Sequence, residues 1–122
     1  MPKIEPIESQ DKRVIEALWS SLKLFDDFRG SIPLPYVLTF LAVVREEGKP
    51  IGVYAREMDL ERFIMGRYFQ CIGERGRHGT PGLGLVTVKR TGGYPTKTQV
   101  YLTPKGRAVA GLVLQNLRCS TQ

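Results

Sequence analysis

The chain has 122 residues, 42% hydrophobic and 25% charged, with a formal net charge of +6. That is ordinary globular composition for one domain, spanning 1–122, and it excludes a disordered chain. No apolar run approaches the roughly 18 residues of a membrane span, and Met1-Pro2-Lys3-Ile4-Glu5 lacks the apolar core of a signal peptide, so a cytoplasmic location is expected.

In chain order, residues 9–29 predict a helix: Val14, Ile15, Leu18, Trp19, Leu22, Phe25 and Phe28 recur at helical spacing. The stripe they form is wider than a helix needs to sit on one core. Residues 35–47 predict a second helix, with Pro35 at its first position and Gly48 as the left-handed residue after its last turn. Lys49-Pro50-Ile51 reads as a short extended stretch. A short helix over 53–58, a turn at Asp59-Leu60-Glu61 and a helix over 62–73 follow, the last with Met65, Tyr68, Phe69 and Ile72 on its inner face. Residues 75–84 are glycine-rich and basic, hence a loop. Residues 85–89 and 98–102 read as strands around a turn at Gly92-Gly93. Thr103 can cap a last helix that starts with Pro104 and runs to about Arg118.

Charge is not spread evenly along this order. Residues 1–74 hold 10 Lys/Arg and 12 Asp/Glu, whereas residues 75–122 hold 8 Lys/Arg and no carboxylate side chain at all. A one-signed stretch of this kind is the electrostatic footprint expected for a polyanion partner. Two short helices joined by a tight turn, then a basic hairpin, make a winged helix-turn-helix, so the fold class is α+β, mostly α. In such a fold the hairpin lies against phosphates, and its Lys and Arg neutralise them with release of counterions.

Two stretches resemble the MarR-type winged-helix transcription regulators, over roughly residues 35–114. Val53-Tyr54-Ala55-Arg56-Glu57-Met58-Asp59-Leu60 resembles the family's first helix-turn-helix segment, with Ala55 at the small packing position. Val100-Tyr101-Leu102-Thr103-Pro104-Lys105-Gly106-Arg107 resembles the motif at the exit of the wing. The chain departs from the pattern in having no Asp between Arg90 and Lys97, Asp59 at a usual glycine, and Glu61 where a Ser/Thr cap is usual. The resemblance implies a homodimer, built from N- and C-terminal dimerisation helices (residues 1–30 and 104–122) around a DNA-binding core (residues 35–103). Residue chemistry points the same way. Ala108, Val109, Ala110, Leu112, Val113, Leu114 and Leu117 surround most of the last helix with apolar groups. A helix apolar all round is a buried one. Leu18, Trp19, Leu22, Leu112, Val113, Leu114 and Leu117 are therefore the expected dimer interface.

The face of residues 62–73 opposite the core carries Arg62, Phe63, Gly66, Arg67 and Gln70. Arg67 suits guanine, Gln70 adenine and Phe63 a thymine methyl. Gly66 costs the helix about 1 kcal/mol relative to Ala, which close approach to DNA would explain. In the wing, Arg90 or Lys97 can enter the minor groove, with Lys89, Thr91, Tyr94 and Thr96 on phosphates; Arg75 and Arg77 lie in the loop before it. One histidine, His78, and two distant cysteines, Cys71 and Cys119, give no catalytic set, no zinc site and no disulfide framework. No enzyme, cofactor or metal is expected. The expected function is a sequence-specific double-stranded DNA-binding transcriptional regulator, a repressor acting as a homodimer. The alternatives are winged helices for plasmid or phage DNA partition or replication control, or for protein binding.

Overall fold

The computed structural model describes residues 8–28, 30, 32–74, 82–93 and 97–119. Five helices and one hairpin follow in the order α1 (Ser9–Phe28), α2 (Leu34–Arg45), α3 (Ile51–Glu57), α4 (Arg62–Ile72), β1 (Val86–Thr91), β2 (Lys97–Leu102) and α5 (Pro104–Cys119). The chain divides into two compact units, residues 32–110 and a second unit of residues 1–31 with 111–122, so that α5 starts in one and ends in the other. The α+β, mostly helical winged-helix architecture expected from the sequence is the one observed.

The larger unit is built on α4. Met65, Phe69 and Ile72 repeat at three- and four-residue spacing, and all three are buried. Against them sit Phe40 and Val43 of α2 and Tyr54 of α3, all at 0% exposure. Tyr54 meets Phe69 edge-on at 5.5 Å between ring centroids, a geometry the ring quadrupoles favour. Replacing a core aromatic such as Phe40 by alanine costs about 3–5 kcal/mol in a setting of this kind. Tyr68, expected inside, is half-buried and lies edge-on to Tyr36 at 5.3 Å; Leu41 is half-buried as well.

The turn between α3 and α4 closes through Met58 N–H to Tyr54 O (3.0 Å) and Leu60 N–H to Ala55 O (2.8 Å). Asp59 takes the left-handed conformation there, with φ 54°, a state that Asp tolerates better than most side chains. α2 ends two residues short of the expected 47, at Arg45, with Glu46 extended (φ −158°) as its cap; Gly48 is left-handed, with φ 85°, but lies beyond that cap and does not end the helix. The stretch after it is extended only as far as Pro50. Gly48 N–H donates to Val100 O at 2.7 Å and Val100 N–H to Lys49 O at 3.1 Å, which adds a short third backbone to the hairpin. Ile51 is already helical, because Pro50 supplies the extended residue before α3 and Ile51 N–H is taken by Thr98 Oγ1 at 3.1 Å.

β1 and β2 pair antiparallel, with Val86 opposite Leu102, Val88 opposite Val100 and Arg90 opposite Thr98. Pairing extends β1 two residues past Lys89 and starts β2 at Lys97, because each strand satisfies the other's backbone groups. The hairpin's exit is fastened by Thr103, whose Oγ1 donates to Gly84 O at 2.6 Å and accepts from Gly106 N–H at 2.9 Å. The second bond is the cap expected of this residue. Gly106 is required by close approach: a Cβ there would fall 2.0 Å from Leu85 O.

In the smaller unit, α1 buries Ala17, Ser21 and Phe25, which recur every four residues. The expected stripe of Val14, Ile15, Leu18, Trp19 and Leu22 lies beside that buried row and stays exposed, from 41% at Leu22 to 62% at Trp19. On α5, Leu112, Leu114 and Leu117 are exposed as well. Val113, expected at a dimer interface, is buried within the chain at 5% exposure, so it is not available to a partner. No helix among the described residues is long and apolar enough to cross a membrane.

Thr103 yields a direct test of this construction. Thr103→Val keeps the shape but removes both hydroxyl bonds, and should lower unfolding free energy by about 1–3 kcal/mol. Thr103→Ser should cost much less. Urea titrations of the two variants check it.

Candidate nucleic-acid interface

Because Met65, Phe69 and Ile72 point into the core, the helical period turns Arg62, Phe63, Arg67 and Gln70 outward. All four are exposed, and Gly66 is half-exposed. These five residues were expected on one face, and the structure brings them together. Phe63 is 58% exposed, a large ring with no core to sit in. The guanidinium carbon of Arg67 lies 5.6 Å from its ring centroid. A Cβ on Gly66 would meet nothing within 4 Å, so no neighbour among the described residues requires glycine there.

The wing is placed beside this face. A cleft of about 780 Å³ between α4 and β1 is lined by Phe63, Gly66, Arg67 and Gln70 on one side and by Thr87, Val88 and Arg90 on the other. Glu74 also lines it, and Glu61 lines a smaller recess with Arg62, Phe63 and Arg90, so the cations are not without acids nearby. A second groove, of about 480 Å³, gathers Arg56, Arg62, Thr91 and Lys97. Arg62 thus lines both the smaller recess and the second groove.

Strand register separates the hairpin's cations. Arg90 shares its face with Val86, Val88, Thr98 and Val100, while Lys89, Thr91 and Lys97 lie on the other face with Tyr101. Lys89 Nζ sits 5.0 Å over the Tyr101 ring, and Thr91 Oγ1 donates to Lys97 O at 3.3 Å. Of the other residues expected at the interface, Arg75, Arg77, Tyr94 and Thr96 lie outside the described residues, as does His78.

Arg56 was not expected at the interface, yet it is exposed on α3 and lines the second groove with Arg62 and Lys97. Nothing in the local sequence marked it, since Asp59 lies three residues on and the groove forms only where the wing returns. The larger unit's ion pairs explain why such cations stand apart. Glu57 pairs with Arg45 at 3.1 Å and with Lys49 at 2.8 Å, Glu46 with Lys49 at 2.7 Å, and Glu47 with Arg107 at 2.9 Å. The bond from Lys49 holds the Glu57 carboxyl below its usual range, and bonds to Glu46 and Glu57 raise Lys49 above its own. Among the described residues, Arg56, Arg62, Arg67, Arg90 and Lys97 enter no ion pair. Residues 32–110 hold 12 Lys/Arg and 6 Asp/Glu, so the chain's whole excess of +6 belongs to this unit. The described residues contain no group of three or more His, Cys, Asp or Glu able to hold a metal ion.

No protein-family profile matches the sequence, and no curated protein matches it. Solved structures do. The transcriptional regulator homologue protein of Pyrococcus horikoshii OT3 superposes with a TM-score of 0.58 at 16% identity, over 87% of this chain and 94% of that one. RV1404 of Mycobacterium tuberculosis gives 0.60 at 15% identity, over 98% and 81%. A MarR-family transcriptional regulator of Silicibacter pomeroyi gives 0.51 at 20% identity, over 91% and 68%. At these identities the likeness speaks for the backbone alone, and this chain shares the winged-helix fold of these structures, one of them a MarR-family regulator.

Proposed function

We propose that this chain is a sequence-specific double-stranded DNA-binding transcriptional regulator, a homodimer that represses by occluding its site. The observation that carries the reading is the free face of α4. A helix whose inner side is locked into the core presents Arg62, Phe63, Gly66, Arg67 and Gln70 outward, and unpaired cations flank it on α3 and the wing. Arg67 and Gln70 have the donors and acceptors to read base edges in a major groove. Arg56, Lys97 and the wing residues have the charge to hold phosphates and set the register. The likeness to structures described as transcriptional regulators supports the same reading.

The homodimer rests on α1 and α5. Leu18, Trp19 and Leu22, with Leu112, Leu114 and Leu117, expose large apolar groups that a second copy would cover. Two copies would set two α4 helices in successive major grooves about 34 Å apart, with the wings outside them. A second reading, a protein-binding winged helix, draws on the exposed ring of Phe63. It differs in its response to salt.

If a dimer neutralises about 6–8 phosphates, a plot of log K against log salt concentration slopes at about −5 to −7. A fluorescence titration with a slope near zero would favour the protein-binding reading. Arg67→Ala is expected to lose about 1–3 kcal/mol on the best site and little on random DNA, whereas Arg90→Ala weakens both. Equal losses on both DNAs for Arg67→Ala would show that α4 is not the reading element.

Leu114→Glu would place a charge where the second copy is proposed to sit, and should disfavour the dimer by several kcal/mol. Size-exclusion with light scattering should then show a folded monomer that has lost specific binding. A wild-type chain already monomeric at tens of micromolar, on the order of the concentrations where micromolar contacts persist, would sink the dimer.

A further inference from the structure

We infer that Phe63 and Arg67 form one reading element for two neighbouring base pairs, with a thymine methyl against the ring and a guanine edge against the guanidinium. The inference rests on the proposed DNA-binding role and names what that face recognises.

The two residues are four apart on α4, hence on the same side of the helix. Their heads are already in contact, with the Arg67 guanidinium carbon 5.6 Å from the Phe63 ring centroid. The guanidinium lies over the ring within the range of a cation–π contact. A guanidinium held against a ring has fewer arrangements to lose when it meets an acceptor pair. Between the two, Gly66 has no side chain, and the space a Cβ would fill is empty. Nothing on the helix therefore holds the bases away from the pair.

The chemistry of the major groove then selects the partners. The one apolar group that base pairs offer there is the C5-methyl of thymine, and guanine O6 and N7 are the acceptor pair that fits a guanidinium. Successive bases on a strand rise about 3.4 Å, so two heads this close reach neighbouring pairs rather than distant ones. Gln70 follows Arg67 by three residues on the exposed side, and would meet a base further along the site. A 5-methylcytosine carries the same methyl and would serve the ring equally well.

The test uses the full chain and duplexes enriched from a random pool. Enriched sites should place a thymine beside a guanine in each half-site. Changing that thymine to uracil removes only the methyl, and should weaken wild-type binding about fourfold, the worth of one buried methyl group. Phe63→Ala should bind the thymine and uracil duplexes equally and keep its circular dichroism spectrum. Changing the guanine to 7-deazaguanine should weaken wild type and leave Arg67→Ala unaffected. Wild type that binds thymine and uracil duplexes equally overturns the inference, as does a Phe63→Ala variant that keeps the wild-type preference. Enriched sites lacking a thymine beside a guanine overturn it too. Those results leave DNA binding standing. Absence of binding to any duplex at low salt takes down both the DNA-binding role and this inference.

Discussion

The burial of one side of α4 is the constraint on which the rest depends. Met65, Phe69 and Ile72 are closed off by α2, α3 and the hairpin, and no rotation of the helix keeps them buried while turning Arg67 inward. The outer face is therefore defined by the inner one, at a fixed angle from it. Tyr54 ties the arrangement to its surroundings. Its ring stacks edge-on against Phe69, and its hydroxyl donates to Glu46 O at the end of α2. Burial raises the pKa of that hydroxyl, which keeps it a donor at any ordinary pH. α3 is thus anchored to both helices by one residue, and the angle between α3 and α4 follows from that anchor and from the left-handed Asp59.

Electrostatics divides the same unit into two kinds of cation. Arg45, Lys49 and Arg107 are held by Glu57, Glu46 and Glu47, and the Glu47 carboxylate also accepts from Leu102 N–H at 2.8 Å. Those exposed pairs contribute little stability each, of order 0–1 kcal/mol. Their effect lies elsewhere: they engage carboxylates at the end of α2 and of α3. Arg56, Arg62, Arg90 and Lys97 keep their full charge toward solvent, which is what attraction to a polyanion requires.

Most of the fold was legible in the sequence because the local signals and the tertiary structure agree. Thr103, Pro104 and Gly106 mark the start of α5 by a cap, a fixed φ and a close approach, all three visible as residue types. The face of α4 was legible for the same reason, since three buried positions, Met65, Phe69 and Ile72, fix the other side. What the sequence concealed is long-range. Ile51 reads as extended beside Pro50, and only Thr98, 47 residues later, takes its N–H. Tyr101 under Lys89 depends on strand register, and Arg56 in the groove depends on where the wing returns. The width of the α1 stripe was legible too. Which part of it the chain itself covers was not, because Ala17 and Ser21 carry no strong hydrophobic signal.

The helical glycines sharpen the division between what the fold needs and what a partner would need. At Gly106 a side chain would collide with Leu85 O, so the fold alone demands glycine. At Gly52 of α3, Gly66 of α4 and Gly111 of α5 a Cβ would meet nothing, yet a glycine in a helix interior costs about 1 kcal/mol relative to alanine. Among the described residues no close neighbour requires that the side chain be absent. Gly66 lies between Phe63 and Arg67 on the proposed DNA face, and Gly111 beside Leu112 on the exposed side of α5. Both sit where the proposed function requires another molecule to come close to a helix backbone, DNA in one case and a second copy of the chain in the other. Gly52, the third open helical glycine, lines the groove that gathers Arg56, Arg62 and Lys97, so all three lie on surfaces that the exposed side chains had already singled out.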